Sequence, residues 1–139
     1  MDIQKSTENI MLTAIKNFSK EYGVATTETQ LMIRASDENC TPRYEVLVKN
    51  KKIKDVTFNQ ILNVKLDFLG RELIASPFIA SALRKLRNDV ECSDYNDISV
   101  LIYKQKEEQE HPNMYFFNGK NPIKPITMQY IFGDIMMND

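Results

Sequence analysis

The sequence is short of the residues that build most catalytic and metal sites. Its 139 residues include one histidine, two cysteines, no tryptophan and only four glycines. A zinc site needs several His, Cys or acidic ligands at close spacing, and a loop that cradles phosphate needs several glycines. The nearest approach to a ligand set, Cys92, Asp94 and Asp97, fits the polar exit from a helix better. We therefore expect no metal and no cofactor.

Long apolar runs are also missing. No stretch approaches the roughly 20 residues that a membrane-spanning helix needs. Residues 1–5 lack the basic start and the apolar core of a signal peptide. Cys40 and Cys92 make no disulfide framework, which favours free thiols in a reducing compartment. We expect a cytoplasmic or virion-associated protein that makes no membrane contact.

Neither sign of charge dominates the sequence. Its 18 basic and 19 acidic residues leave a formal net charge of −1, and 42% of the residues are hydrophobic. A disordered chain has fewer apolar residues and a larger net charge, and a general nucleic-acid binder is basic. The length and composition predict one globular domain over residues 1–139.

Apolar residues at helical spacing predict two long helices. The first covers residues 6–22 and stops at Gly23, where a left-handed closing residue costs least. The second opens at Ser76-Pro77, because proline at the first helical position loses no hydrogen bond. The apolar stripes are Met11, Ile15, Phe18 and Tyr22 in the first helix, and Ile79, Ala82, Leu83, Leu86 and Val90 in the second.

Alternating apolar and polar residues predict strands. A hairpin is expected about a turn at Asn50-Lys51. Gly70 is expected to end a later strand, which covers residues 64–68. Asn118-Gly119 gives a later turn signal. The predicted strand segments are 30–35, 43–49, 52–56, 64–68, 98–102 and 114–117. After them, Pro122 and Pro125 keep the chain out of a central strand.

The most specific local motif is a capping box at Thr57 and Gln60. The threonine oxygen accepts the backbone N–H three residues on, and the glutamine reaches back to the threonine N–H. Val56 and Ile61 flank this box at the spacing of a hydrophobic staple. A short helix should begin at Thr57, and Thr127 should cap a final helix in the same way.

The two halves of the sequence contain similar elements. Thr57 and Ile61 have the same spacing as Thr127 and Ile131, and the order of helix, strands and capped helix recurs. Chance matches are the alternative, and the segment 64–68 has no twin. We expect an α+β fold: a small antiparallel sheet with two long helices packed on one face. A tandem pseudo-repeat of αββα units, with halves 1–70 and 71–139, is the finer hypothesis.

The only histidine suggests a catalytic alternative. His111 lies in an acidic loop, and a histidine there is able to act as a base. Catalysis by a histidine base needs a nucleophile held in position beside it. The sequence contains no serine or cysteine motif that would supply such a nucleophile to His111. We therefore expect no enzyme, and a small enzyme with an unrecognised site around His111 is the third hypothesis.

A lysine-rich hairpin gives the second hypothesis, a nucleic-acid-binding module. Lysines on a turn contact phosphates. The competing explanation is that lysines on an edge strand keep it from pairing with other sheets. The candidate residues are Lys49, Lys51, Lys52, Lys54, Arg84, Lys85, Arg87, Lys120 and Lys124.

An apolar C-terminal region gives the first hypothesis, a protein interface. Its run of apolar residues makes both faces of a strand apolar, so either both faces are covered within the fold or one face meets a partner. The candidate residues are Met114, Tyr115, Phe116, Phe117, Met136 and Met137. We expect a non-enzymatic structural or adaptor subunit acting by protein–protein contact in a larger assembly, with a protein partner or as a homo-oligomer. Frequent Lys, Asn and Ile are typical of AT-rich genomes, so a phage virion component is the specific expectation.

Overall fold

The computed structural model describes residues 3–57, 60–61, 69–91 and 94–127. These residues form a six-stranded antiparallel sheet and two α-helices, so the predicted α+β class is confirmed. The helices are α1 (Ile3–Tyr22) and α2 (Leu69–Asp89). The strands are β1 (Thr29–Ala35), β2 (Pro42–Val48), β3 (Lys51–Val56), β4 (Ile98–Tyr103), β5 (Asn113–Asn118) and β6 (Asn121–Ile126).

The strands follow the order β3-β2-β1-β4-β5-β6 across the sheet. Short connections make each set of three consecutive strands an antiparallel meander, as expected for hairpin-linked strands. The two meanders join at the centre, where Ile33 of β1 lies opposite Val100 of β4. Consequently β3 and β6 are the two edges, and the prolines of β6 lie on an edge strand, where a missing N–H is tolerated.

The two meanders share local details of their backbones. A short 3₁₀ helix precedes each first strand, at Thr26–Glu28 and at Tyr95–Asp97. Each second hairpin contains a register shift at the same place, after Val46 in β2 and after Phe116 in β5. The residues 43–56 and 114–126 therefore occupy corresponding positions at opposite edges of the sheet.

The core lies between the two helices and one face of the sheet. The core residues of the four inner strands alternate along each strand, as the two-residue pleat requires. Leu31, Val46, Val100 and Phe116 from four adjacent strands form one apolar cluster with side chains of both helices. The helical contributors are Met11, Ala14, Ile15 and Phe18 from α1, and Ile79, Ala82, Leu83 and Leu86 from α2. Tyr22 and Val90, the last residues of the predicted stripes, are partly buried and pack against this cluster.

The turns follow the predicted residue types, with one shift in position. Gly23 closes α1 at φ +65°, and Gly119 takes φ +63° in the β5–β6 turn. The β2–β3 turn is centred on Lys49 and Asn50, both with positive φ, and not on Asn50-Lys51. A two-residue hairpin turn of this kind needs positive φ at both central positions. Lys51 is already part of β3.

The capping box at Thr57 is confirmed. The Thr57 N–H donates to Gln60 Oε1 at 2.8 Å, and the Gln60 N–H donates to Thr57 Oγ1 at 3.1 Å. Val56 and Ile61 are both buried, consistent with a hydrophobic staple. The predicted strand at 64–68 and the predicted helix after Thr127 lie outside the described residues.

The starts of both helices differ from the predictions. The first helix begins at Ile3 and not at residue 6. The second begins at Leu69 and not at Ser76, so Gly70 and Pro77 lie inside it. An internal proline removes one hydrogen bond of the helix but leaves the rest of the ladder intact. The favourable helix formers between Gly70 and Pro77 therefore extend the helix towards the N-terminus.

Candidate partner-binding face

The sheet has a second face, opposite the helices, which we call the open face. Successive residues of a strand point to opposite faces, so the open face carries the residues that adjoin the core residues in the sequence. On the central strands these are Met32 and Arg34 of β1, and Ser99 and Leu101 of β4, with Met32 directly opposite Leu101. Met32, Arg34 and Leu101 remain partly exposed.

A shallow cleft of about 250 Å³ lies at the centre of the open face. Its apolar lining comes from Met32, Leu47, Leu101 and Phe117, one residue from each of the four inner strands. Arg34, Asn50, Ser99 and Gly119 complete it. The cleft therefore crosses the seam between the two meanders. Its volume is below the roughly 300–1,000 Å³ of sites for small-molecule ligands, and suits a protruding side chain better.

An ion cluster forms one half of the open face. The Glu45 side chain is only 3% exposed, and its Oε1 lies 2.9 Å from Arg34 Nε. Its Oε2 lies 3.3 Å from Lys52 Nζ and 3.9 Å from Arg43 Nη1. Lys52 Nζ also lies 3.0 Å from the exposed Asp55 carboxylate. Hydrogen bonds to Asp55 and Glu45 raise the pKa of Lys52.

The other half of the open face is aromatic. Tyr115 and Phe117 of β5 are partly exposed, with ring centroids 5.7 Å apart and planes tilted by 54°. Tyr115 lies opposite Pro125, and Phe117 lies opposite Pro122, on the edge strand β6. Tyr103 at the end of β4 is also partly exposed and alternates with the core residue Ile102.

The chemical difference between the halves arises at corresponding positions of the two meanders. Glu45 of β2 lies opposite Asp55 of β3, and at the corresponding position of the second meander Tyr115 lies opposite Pro125. Leu47 lies opposite Lys52, and at the corresponding position Phe117 lies opposite Pro122. The backbone is alike in the two halves, so the side chains alone make one half ionic and the other aromatic.

The register shift decides which face each lysine of β3 joins. Lys52 pairs with Leu47 on the open face, whereas Lys54 pairs with Val46 on the core face. In a regular strand, residues that are two positions apart, as Lys52 and Lys54 are, share a face. The extra residue, Ile53, is 46% exposed, and its counterpart Ile123 in β6 is 40% exposed.

The two core-face lysines hold the edges of the sheet to the helices. Lys54 Nζ lies 3.3 Å from Glu21 Oε1 and within 6 Å of the rings of Phe18 and Tyr22 on α1. Hydrogen bonds to Tyr22 and then Glu21 raise the pKa of Lys54. On the other edge, Lys124 Nζ lies 3.8 Å from Asp89 Oδ2 on α2.

The structure does not bring the predicted nucleic-acid-binding residues to one surface. The hairpin lysines and Lys120 with Lys124 lie at opposite edges, separated by four strands. Lys49 pairs with Glu28 at 3.8 Å. Arg84 and Arg87 donate to the carbonyl groups of Asn39 and Glu38 in the β1–β2 loop. Lys51, Lys85 and Lys120 are exposed. The expectation of one patch is therefore corrected, because strand order separates its parts.

The predicted protein-interface residues divide between the two faces. Met114 and Phe116 are buried in the core, which corrects the expectation that they face a partner. Tyr115 and Phe117 point to the open face and remain candidates. Consecutive strand residues alternate, so four apolar residues in a row never share one surface. Met136 and Met137 lie outside the described residues.

His111 is paired with a helix residue. Its Nδ1 lies 3.0 Å from Glu8 Oε2 on α1, and its side chain is 73% exposed whereas that of Glu8 is 11% exposed. The pair fastens the β4–β5 loop to α1. A second contact, in which Thr26 Oγ1 donates to Glu107 Oε2, fastens the same loop to the 3₁₀ helix before β1. Both contacts suit a structural tether.

The candidate ligands of a metal are also placed by the fold. Asp94 accepts the backbone N–H of Asn96 and caps the 3₁₀ helix before β4. Cys92 lies outside the described residues. In the part of the chain that the structure describes, no three His, Cys, Asp or Glu side chains form a possible metal site. Among the helices of that same part, none is long and apolar enough to cross a membrane.

Comparisons with known proteins identify no relative. No family model matches the chain, and no curated protein or solved structure is significantly similar to it. The open face is thus the feature from which a function is inferred.

Proposed function

We propose that this protein is a non-enzymatic structural or adaptor subunit that acts by protein–protein contact through the open face. The observation that carries the proposal is the cleft of Met32, Leu47, Leu101 and Phe117 at the centre of the sheet. The cleft is lined by apolar side chains with Arg34, Asn50 and Ser99 beside them, and protein interfaces combine an apolar centre with a polar rim in the same way. The centres of protein interfaces are enriched in aromatic residues, Met and Arg, all of which line this face.

Protein is favoured over nucleic acid as the partner because of how the basic residues are bonded. A nucleic-acid platform presents cations to phosphates. Here Arg34 and Lys52 already pair with Glu45, while Lys54 and Lys124 pair with helix residues. Nucleic-acid binding stays the alternative hypothesis, and an enzyme at His111 stays the third.

We further propose that the chain is one domain built as a tandem pseudo-repeat, with three strands and not two in each unit. The corresponding 3₁₀ helices, register shifts and exposed Ile53 and Ile123 support it. The pairing of β1 with β4 unites both units in one sheet. The helices of both units would then cover one face and leave the other for the assembly, of which a phage virion is the case favoured by composition.

Site-specific photocrosslinking in the producing cells tests the binding proposal. Tyr115 on the open face is replaced by p-benzoylphenylalanine, and exposed Lys16 on α1 is replaced in a matched control. We expect a discrete protein adduct from position 115 alone, which is lost when Leu101→Asp is added. Equal adducts from both positions would contradict the proposal, and a nuclease-sensitive adduct would favour the nucleic-acid alternative.

A further inference from the structure

The open face also indicates the chemistry of its partner. Resting on the proposed function, we propose that the face binds an extended segment of a partner protein that is acidic at one end and apolar at the other. The acidic end lies over the ion cluster, an apolar side chain enters the central cleft, and the remaining apolar residues lie over the aromatic half.

The ion cluster presents positive charge outwards. Arg34, Arg43 and Lys52 are three cations, whereas Glu45 and Asp55 are two carboxylates, which leaves a surplus of one positive charge. The cations are 30–46% exposed and Glu45 is 3% exposed, so Asp55, which is 63% exposed and already pairs with Lys52, is the one carboxylate of the cluster that reaches solvent. Three exposed cations against one exposed carboxylate attract a carboxylate of a partner.

Arg43 is the cation best placed to take a new carboxylate. Its Nη1 lies 3.9 Å from Glu45 Oε2, which is beyond hydrogen-bond distance, and its side chain is 45% exposed. Arginine recognises carboxylates through a planar fork of donors that binds both oxygens. The contact with Glu45 leaves this geometry available to a ligand.

The aromatic half suits the apolar end of the same segment. Tyr115 and Phe117 are partly exposed, and each lies opposite a proline of the edge strand β6, Pro125 and Pro122 respectively. The six strands span about 24 Å from β3 to β6 at roughly 4.8 Å per strand spacing. An extended segment of about eight residues is long enough to cross from the ion cluster to the aromatic half.

A second copy of this chain matches the face less well. The carboxylate at the centre of the cluster, Glu45, is buried and does not reach across to cations of another molecule. The exposed carboxylate, Asp55, already pairs with Lys52, so two facing copies would set six cations against two exposed carboxylates, and unpaired desolvated charge is costly. An acidic partner segment supplies the missing carboxylates.

Fluorescence anisotropy with synthetic peptides tests the inference on the full chain. The probe is a fluorescein-labelled octapeptide with three acidic residues followed by Leu, Phe and Tyr, made in both sequence directions. The matched peptide carries Lys in place of the acidic residues. We expect the better acidic peptide to bind at least tenfold more tightly than its lysine counterpart, with a difference that shrinks as salt rises.

Two charge reversals locate the binding. Arg43→Glu should lower the affinity for the acidic peptide about tenfold. Lys16→Glu makes the same charge change on α1, away from the open face, and should leave the affinity unchanged. Phe117→Ala should lower the affinity several-fold without changing its salt dependence. Circular dichroism checks that each variant is folded. Equal affinity for acidic and lysine peptides, or equal effects of the two reversals, would overturn the inference.

The crosslink at position 115 separates the two levels of the proposal. If the adduct forms, and excess acidic peptide added to a cell lysate before irradiation prevents it, the inference is supported. If the adduct forms and the peptide does not compete, the face binds protein but the ligand class is wrong. A crosslink to a second copy, or within the chain, would overturn the inference, and absence of any adduct would overturn the proposed function itself.

Discussion

Arg34 and Glu45 are cross-strand neighbours whose ion pair is nearly hidden on the open face. Arg34 Nε lies 2.9 Å from Glu45 Oε1, and the Glu45 side chain is 3% exposed whereas that of Arg34 is 30% exposed. The pair places a charge of each sign beside the apolar cleft.

Replacing Glu45 should destabilise the fold. Glu45→Gln removes the negative charge from beneath three cations, but those cations are partly exposed and regain water. We expect a loss of about 1–3 kcal/mol in the free energy of unfolding, below the cost of a fully buried broken pair. Urea unfolding measures it. Glu38→Gln in the exposed β1–β2 loop is the matched control, and an equal effect of both changes would contradict the role of the cluster.

Removing the capping box between Thr57 and Gln60 should destabilise the chain. Thr57→Ala deletes the oxygen that accepts the Gln60 N–H, which costs about 1 kcal/mol at a typical N-cap. Thermal unfolding measures the loss, and Thr57→Ser, which keeps the hydroxyl, should restore most of it. If the chain is a pseudo-repeat, as we propose, Thr127→Ala should lower the free energy of unfolding by a similar amount. A Thr127→Ala variant as stable as the natural chain would count against the pseudo-repeat.

Asp37 should make the stability pH-dependent in acid. Its carboxylate accepts the backbone N–H groups of Thr41 and Asn39 and the Thr41 hydroxyl, and the Thr41 bonds are the main cause that lowers its pKa from 3.8. Because the folded pKa lies below the unfolded value, this stabilisation is complete above about pH 4 and is lost as pH falls through the folded pKa.

The variant Asp37→Asn isolates this contribution. The difference in melting temperature between the natural chain and the variant should be largest near neutral pH and should diminish below pH 4. Glu38→Gln, which changes an exposed carboxylate of the same β1–β2 loop, serves as a comparison for general charge effects. A difference for Asp37→Asn that stays constant from pH 7 to pH 3 would refute the assignment.

The left-handed turn residues should respond to glycine in opposite directions. Lys49 has φ +52° in the β2–β3 turn, so Lys49→Gly should stabilise the chain by roughly 0.5–1 kcal/mol. Gly119 has φ +63° in the β5–β6 turn, and Gly119→Ala should cost about 1 kcal/mol, since the added Cβ meets Asp97 only at ordinary contact distance. Urea midpoints measure both changes, and a stabilising Gly119→Ala would disprove the assignment of strain.

Local sequence signals account for much of the fold. Gly23 as a helix stop, the Thr57 box and the alternating strands each depend on residues within a few positions, where backbone geometry and nearby hydrogen bonds decide the outcome. The start of α2 was missed because Ser76-Pro77 is a strong local signal for a helix start, although a proline inside a helix is tolerated when the residues before it favour helix.

The candidate site was predicted only in part, as Tyr115 and Phe117 within an apolar run. Its ionic half joins Arg34, Arg43, Glu45 and Lys52 from three strands, and no short motif links them. The clearest sequence signal was Glu45 itself, an acidic residue between Tyr44 and Val46 in an otherwise apolar strand, which calls for partners when buried.

The sequence alone predicted five of the six described strands, the helix stop at Gly23 and most of the residues that form the core, because these depend on short-range periodicity. Only the tertiary structure decided that Met114 and Phe116 belong to the core while Tyr115 and Phe117 face outwards. It also decided that Lys52 joins the open face and Lys54 joins α1. Strand order and register are set by contacts distant in sequence, and a single extra residue at Ile53 changes the face to which its neighbours point.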